Sequence, residues 1–104
     1  MDFQPLHYAL SETLKGLLDK LPTEDDQMGE LSFPHLRWMC DTAMSNVAIW
    51  PVDKTSRWVG YIQGVMVVRG VLDVAEERDR TRPLFHKAYS QMNQNIPDTL
   101  QRNS

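Results

Sequence analysis

The sequence predicts an all-α fold, a compact bundle of about four helices joined by short turns. Two observations lead to this prediction. Apolar residues recur at spacings of three and four in four successive segments, and Pro22, Pro51 and Gly70 stand where three of those segments end. The chain has 104 residues, of which 41% are hydrophobic and 24% are charged, an ordinary composition for one globular domain. We expect residues 1–93 to form that domain and residues 94–104 to be a frayed or disordered tail.

The first two helices are separated by an acidic loop. Residues 5–21 place leucines at helical spacing, and Pro22 ends this segment. Residues 22–30 have no apolar periodicity and carry four acidic side chains, so they are expected to form a loop. The second helix should follow Ser32, a suitable N-cap residue, and stop before Pro51.

Two further helices are expected after short turns. Asp53 can cap a third helix over Lys54–Arg69, and Gly70 can end it in the left-handed conformation. Because apolar side chains occur all round this third helix, it should be the central one. A fourth helix should start at the capping-box sequence Asp73-Val-Ala-Glu76. We expect it to kink or break near Pro83, since proline removes one helix hydrogen bond.

Gly60 and Gly64 stand four residues apart within the third helix. A glycine in a helix interior costs about 1 kcal/mol relative to alanine, so this pair indicates a close approach by other atoms. The approaching atoms could belong to another helix of the chain, to a second subunit of a homo-oligomer, or to a bound ligand.

Charge is unevenly distributed along the chain. Residues 1–53 hold nine acidic and three basic side chains, a net charge of −6, and residues 54–104 hold eight basic and five acidic ones, a net charge of +3. The overall charge of −3 argues against direct binding of nucleic acid, which normally requires a basic face. The acidic side chains of the loop could face a basic partner surface, or they could simply be solvated: Glu24, Asp25, Asp26 and Glu30.

Arg78, Arg82 and His86 are spaced by four residues and would form one stripe along the fourth helix, with Tyr89 further along. The guanidinium group is a planar, two-pronged donor suited to phosphate and carboxylate groups. The stripe could therefore bind an anionic nucleotide or an acidic partner segment. The alternative is a solvated face whose arginines pair with nearby acidic residues.

Three tryptophans lie near the predicted hairpin of helices two and three. Trp50 and Trp58 flank its turn and should pack across it. Trp38 stands at the border of the apolar face of helix two, beside Arg37. Because aromatic and arginine side chains dominate binding hot spots, Trp38 and Arg37 could bind a partner protein. Packing within the domain is the alternative role for Trp38.

No catalytic or metal-binding pattern is evident in the sequence. The three histidines and the single Cys40 lack the spacing of a zinc site, and no nucleophile elbow, phosphate-binding glycine loop or dinucleotide fingerprint is present. We therefore expect no enzyme activity, no cofactor and no metal. A single cysteine allows no disulfide within the chain, and Met-Asp-Phe-Gln-Pro at the start lacks signal-peptide features. Neither secretion nor membrane insertion is expected.

The run Trp50-Pro-Val-Asp-Lys-Thr-Ser-Arg-Trp-Val-Gly-Tyr-Ile-Gln-Gly64, with the later run Glu76-Glu-Arg-Asp-Arg-Thr-Arg-Pro-Leu-Phe-His86, resembles small proteins encoded by tailed bacteriophages and prophages. The resemblance covers roughly residues 32–89 and implies no catalytic residue. Small phage accessory proteins commonly bind a host protein or a defence signal molecule. Since the sequence has no catalytic pattern, we expect a non-enzymatic protein, a homo-oligomer, that in this context binds and modulates or inhibits a bacterial host protein in the host cytoplasm. The alternative is an oligomeric protein that sequesters an anionic nucleotide signal.

Overall fold

The computed structural model describes residues 3–92, and within them the chain forms four α-helices and no β-strand. The helices are α1 (Pro5–Lys20), α2 (Phe33–Asn46), α3 (Val52–Val68) and α4 (Val74–Gln91). The predicted all-α bundle is therefore confirmed. The predicted tail, residues 94–104, lies outside the described residues.

Local capping chemistry sets the start of two helices. The Ser32 side chain accepts a hydrogen bond from the backbone N–H of His35 at 3.2 Å, at the start of α2. The Asp73 carboxylate accepts one from the backbone N–H of Glu76 at 2.9 Å, at the start of α4. Both contacts satisfy a backbone donor that has no partner within the helix, so both predicted N-caps are confirmed.

Two other predicted helix features need correction. The N-cap of α3 is Pro51, and Asp53 lies inside the first turn, where its carboxylate interacts favourably with the positive end of the helix dipole. Of the two outcomes predicted at Pro83, a kink or a break, the break is wrong, because α4 runs through this residue from position 74 to position 91. Pro83 and Asp79 are both exposed, so the Asp79 carbonyl that loses its N–H partner can be hydrated.

The core is built around α1, which packs against each of the other three helices. The prediction that α3 is central is wrong, since Val68 of α3 is 87% exposed and Tyr61 is 38% exposed. Small residues on α1 explain the difference, because Thr13 and Gly16 let α4 approach closely. The fully buried apolar side chains come from α1, α2 and α3: Leu14, Leu17, Leu36, Cys40, Ala43, Ile62 and Met66.

The close helix contact predicted at Gly60 and Gly64 is not made within the chain. Both glycines are exposed, and a Cβ atom added at either position would meet no atom within 4 Å. The tightly packed glycine is Gly16 in α1, where an added Cβ would lie 2.5 Å from Cζ of Arg80. The guanidinium group of Arg80 occupies the space that a side chain at position 16 would need.

A buried polar network around Arg80 joins α1, α3 and α4. The carboxylate of Glu77, a residue only 5% exposed, accepts hydrogen bonds from Nε and Nη2 of Arg80, both at 2.9 Å, and from Nε2 of Gln63 at 2.8 Å. Arg80 also donates to the carbonyls of Glu12 and Thr13 in α1, at 3.3 and 3.1 Å. A buried carboxylate is costly unless it is paired and hydrogen-bonded, so these contacts fix the position of α4 on α1.

Alanine substitutions at Gly60 and Gly16 should have opposite effects on stability. Gly60→Ala adds a methyl group in open space within a helix, so we expect the free energy of unfolding to rise by about 0.5–1 kcal/mol. Gly16→Ala displaces the Arg80 guanidinium from its hydrogen bonds with Glu77 and with the α1 carbonyls, so we expect a decrease of about 1–3 kcal/mol. Urea unfolding followed by tryptophan fluorescence measures both values. A loss of stability in Gly60→Ala would show that this glycine is in close contact in solution.

Candidate functional site

An aromatic cluster spans α2, the turn after it and α3. The ring centroids lie 5.5 Å apart for His35 and Trp38, 5.9 Å for Trp38 and Trp58, and 4.7 Å for Trp58 and Trp50. The predicted packing of Trp50 against Trp58 across the turn is therefore confirmed. These four residues, His35, Trp38, Trp50 and Trp58, form one continuous surface feature, named here the tryptophan surface.

Trp38 is the exposed tryptophan of this surface. It is 55% exposed, whereas Trp50 and Trp58 are half-buried. One face of Trp50 is already covered by Lys54, whose Nζ lies 4.1 Å from the ring centroid. An exposed indole ring held against other rings is typical of protein-binding surfaces, where tryptophan is enriched.

Arg37 has a structural contact rather than a free guanidinium beside Trp38. Its Nη2 donates to the carbonyl oxygens of Leu21 and Pro22, at 3.1 and 3.0 Å. These carbonyls lie directly after α1, where backbone acceptors have no partner within the helix. Arg37 thus ties α2 to the C-terminal end of α1 through Nη2, and its side chain is half-buried.

Asp25 is the buried member of the acidic loop, with a side chain only 4% exposed. Its two carboxylate oxygens accept hydrogen bonds from both Nη atoms of Arg69, and the backbone N–H groups of Phe33 and Gln27 donate at 2.8 and 3.1 Å. The hydrogen bonds from Arg69, with those from the backbone, hold the pKa of the Asp25 carboxyl well below its usual range. Arg69 also lies 3.8 Å from the Phe33 ring centroid. Asp25 therefore fastens the loop to the end of α3.

The other acidic residues of the loop, Glu24, Asp26 and Glu30, are exposed. Within residues 3–92 none of the three forms an ion pair. The loop backbone is nevertheless held in place, because the Tyr61 hydroxyl donates to the Glu30 carbonyl at 2.9 Å. The structure thus separates the predicted acidic group into one structural carboxylate and three that face solvent.

Arg78 lines a groove of about 430 Å3 between α3 and α4. Arg78 is exposed, and Gly64 lies on the opposite side of the same groove. The remaining lining combines apolar and polar side chains: Gln63, Val67, Leu72, Val74, Glu77 and Thr81. The groove therefore brings together two features that were singled out separately in the sequence.

The rest of the predicted α4 stripe does not converge on this groove. Arg82, His86 and Tyr89 are half-buried and do not belong to the groove lining, and Nη1 of Arg82 lies 3.8 Å from Oδ1 of Asp79. Each four-residue step turns about 40° around a helix of 3.6 residues per turn. His86 is therefore turned about 80° around the helix from Arg78, and of the three side chains only Arg78 lines the groove.

Two exposed residues beside the tryptophan surface were missed by the sequence reasoning. Asp41 lies three residues after Trp38 on α2, and Tyr61 lies three residues after Trp58 on α3. Residues three apart in a helix are neighbours on its surface, so this spacing is the signal that would have identified both.

Cys40 does not provide a reactive thiol. It is fully buried in the core, and burial raises the pKa of its thiol to about 12, so the nucleophilic thiolate is not formed at neutral pH. In the part of the chain that the structure describes, no group of three or more His, Cys, Asp or Glu side chains could hold a metal ion. No described helix is long and apolar enough to cross a membrane.

Comparison of the chain with models of protein families, with curated proteins and with solved structures found no match. A function for this domain is therefore inferred from its own surface.

Stability at acidic pH should depend on Asp25. The pKa of this carboxyl is lower in the folded chain than in the unfolded chain, so its contribution to stability is complete above the ordinary carboxyl pKa of about 3.9 and is lost as the pH falls below it. We expect Asp25→Asn to lower the urea midpoint of unfolding at pH 7. The variant should also show a smaller decrease of that midpoint than wild type between pH 5 and pH 2. Asp26→Asn is the exposed control and should leave both unchanged. Equal behaviour of the two variants would contradict a stabilising role of the Asp25–Arg69 pair.

Proposed function

We propose that this domain is a non-enzymatic protein-binding module, in which Trp38 is the anchor for a partner protein. The observation that carries the proposal is the 55% exposure of an indole ring that is held between His35 and Trp58. In line with the resemblance to phage accessory proteins, the partner is a bacterial host protein, which the domain modulates or inhibits in the host cytoplasm.

The position of Trp38 on a helix supports this role. Its backbone belongs to α2, and its ring contacts one ring of the same helix and one of α3. A side chain that is already ordered in the free protein loses little conformational entropy on binding. The free energy gained when a partner buries this ring would therefore be offset only slightly by the ordering of the side chain.

A matched pair of variants tests the proposal. Trp38→Ala should weaken binding of the partner captured from bacterial lysate by at least about 30-fold, the effect of a hot-spot residue worth 2 kcal/mol. Tyr8→Ala is the control, because Tyr8 is an aromatic residue of α1 that is 60% exposed. Affinities are measured by calorimetry with the purified partner, after circular dichroism has shown that both variants remain helical. Equal affinity of Trp38→Ala and wild type would reject Trp38 as the anchor.

The groove between α3 and α4 favours a second candidate function, the sequestering of an anionic nucleotide by a homo-oligomer. Arg78 supplies an exposed cation there, and the open side of Gly64 leaves room for a ligand or for a second copy of the chain. This candidate has less support than the first, because Arg82, His86 and Tyr89 lie outside the groove and the Glu77 carboxylate lines it.

Nucleotide binding at this groove would raise the melting temperature of the protein. If the second candidate is correct, one of a panel of mononucleotides and cyclic dinucleotides raises the melting temperature of wild type, and Arg78→Ala removes that increase. Arg57→Ala, which alters an exposed arginine outside the groove, should keep it. Ultracentrifugation of the same samples measures the oligomeric state. The absence of any increase in wild type, or a monomer at all concentrations, would reject the oligomeric nucleotide binder.

A further inference from the structure

We infer that the groove between α3 and α4 binds a small aliphatic carboxylate, with the carboxylate at Arg78 and the alkyl chain directed toward the turn that joins the two helices. The inference goes beyond the proposed protein-binding function and does not depend on the tryptophan surface. It rests on the groove of the second candidate function, to which it assigns another class of ligand. Three features support it: the separation of polar from apolar lining, the state of the charged groups, and the aliphatic walls.

Polar and apolar residues lie toward opposite ends of this groove. The two helices run in opposite directions, because Gln63 and Glu77, at equal sequence distances from Gly70, are hydrogen-bonded at 2.8 Å. The aliphatic lining residues are those nearest the turn: Val67, Leu72 and Val74. The polar lining residues are those further from it: Gln63, Glu77, Arg78 and Thr81. A ligand with one polar end and one apolar end matches this arrangement.

The two ends are close enough for one small molecule to reach both. Arg78 lies four residues after Val74, so the two side chains are neighbours on the surface of α4, about 6 Å apart along its axis. On the α3 side, a Cβ atom added at Gly64 would meet no atom within 4 Å. The groove is therefore open at the level of Arg78, and a short alkyl chain can extend from there to the aliphatic end.

Arg78 supplies a guanidinium group that is open to a ligand. Its side chain is exposed and forms no hydrogen bond or ion pair within residues 3–92. The other charged residue of the lining, Glu77, has a side chain only 7% exposed, and both of its carboxylate oxygens accept hydrogen bonds from Arg80. The negative charge of Glu77 is thus balanced inside the chain, and the positive charge of Arg78 is not.

The acidic residues at the start of α4 are directed elsewhere. The Asp73 carboxylate accepts a hydrogen bond from the backbone N–H of Glu76, at the end of the helix. Glu76 itself lies about 160° around α4 from Arg78, and Asp79 lies 3.8 Å from Nη1 of Arg82. Binding of the carboxylate depends on direct hydrogen bonds, since a guanidinium group presents two parallel N–H donors to the two oxygens of a carboxylate.

The walls of the groove favour an alkyl chain over a nucleotide. The described residues that line it include no aromatic side chain, so a nucleobase has no ring on which to stack. Val74 is 51% exposed, and an alkyl chain that covers it gains the free energy of burying apolar surface. The lining thus has the composition common in small-molecule sites, apolar walls with a few polar groups that orient the ligand.

Titration of the full chain with sodium octanoate tests the inference. Two-dimensional NMR with assigned backbone signals should show octanoate, below its micelle concentration, shifting the amide signals of Gly64, Val67 and Arg78. The affinity should rise about two- to fourfold for each methylene group from butanoate to octanoate. Octanamide, which has the same chain without the charge, should bind about tenfold more weakly, because hydrogen bonds to charged groups are stronger than those between neutral groups.

Two matched pairs of variants locate the ligand. Arg78→Gln should bind octanoate about five- to tenfold more weakly, whereas Arg57→Gln, at an exposed arginine outside the groove, should bind it as wild type does. Val74→Asn should bind about three- to tenfold more weakly, whereas Val68→Asn, at an 87% exposed valine outside the groove, should not. Circular dichroism checks that all four variants remain helical.

Several outcomes would overturn the inference. These are the absence of shifts at the groove, equal affinity for octanamide and octanoate, or equal affinity of Arg78→Gln and wild type. An affinity for octanoate that falls as the protein concentration rises would also overturn it, because a second copy of the chain would then be the occupant of the groove.

The nucleotide candidate is judged separately by its own melting experiment. If a nucleotide raises the melting temperature through Arg78 and octanoate does not bind, the second candidate function stands and the aliphatic ligand is rejected. If octanoate binds as described and no nucleotide raises the melting temperature, the inference stands and the sequestering of nucleotides is rejected.

Discussion

The arrangement of the helices depends on the Arg80 guanidinium, which rests on the backbone of α1 in the space left open at Gly16. Its charge is balanced by the buried carboxylate of Glu77, and Gln63 connects this pair to α3. Because the buried Glu77 carboxylate is costly without its partners, these contacts favour the observed placement of α4 on α1. That placement makes α1 the centre of the bundle and leaves one side of α3 uncovered.

Two further arginines join parts of the chain that are distant in sequence. Arg37 holds the end of α1, and Arg69 holds the acidic loop through Asp25. These guanidinium groups stabilise the fold by contacts inside the chain, and Arg37 keeps its positive charge beside Trp38 because it donates to uncharged carbonyl oxygens.

Glycines show how one residue type serves different physical needs in this chain. Gly16 provides room for a guanidinium group, and Gly70 adopts a φ of 79°, which favours glycine, directly after α3. Gly60 and Gly64 meet neither need, since open space surrounds the position of a Cβ atom at both. Their four-residue spacing predicts a close helix contact, which these two positions do not make within the chain. The close approach at a glycine occurs on α1, where Gly16 is the single glycine of the helix.

The sequence by itself determined the four helices, the caps at Ser32 and Asp73, and the packing of Trp50 against Trp58, because these features depend on residues that are close along the chain. The tertiary structure alone decided which charged residues are structural. Arg37 donates a hydrogen bond to a carbonyl 16 residues away, and Arg69 donates to a carboxylate 44 residues away. Arg80 donates to a carbonyl of α1 that is 67 residues away. Contacts over such separations depend on how the helices pack, which apolar spacing and capping do not encode. For the same reason, the exposure of Trp38 and the central position of α1 emerged only from the assembled bundle.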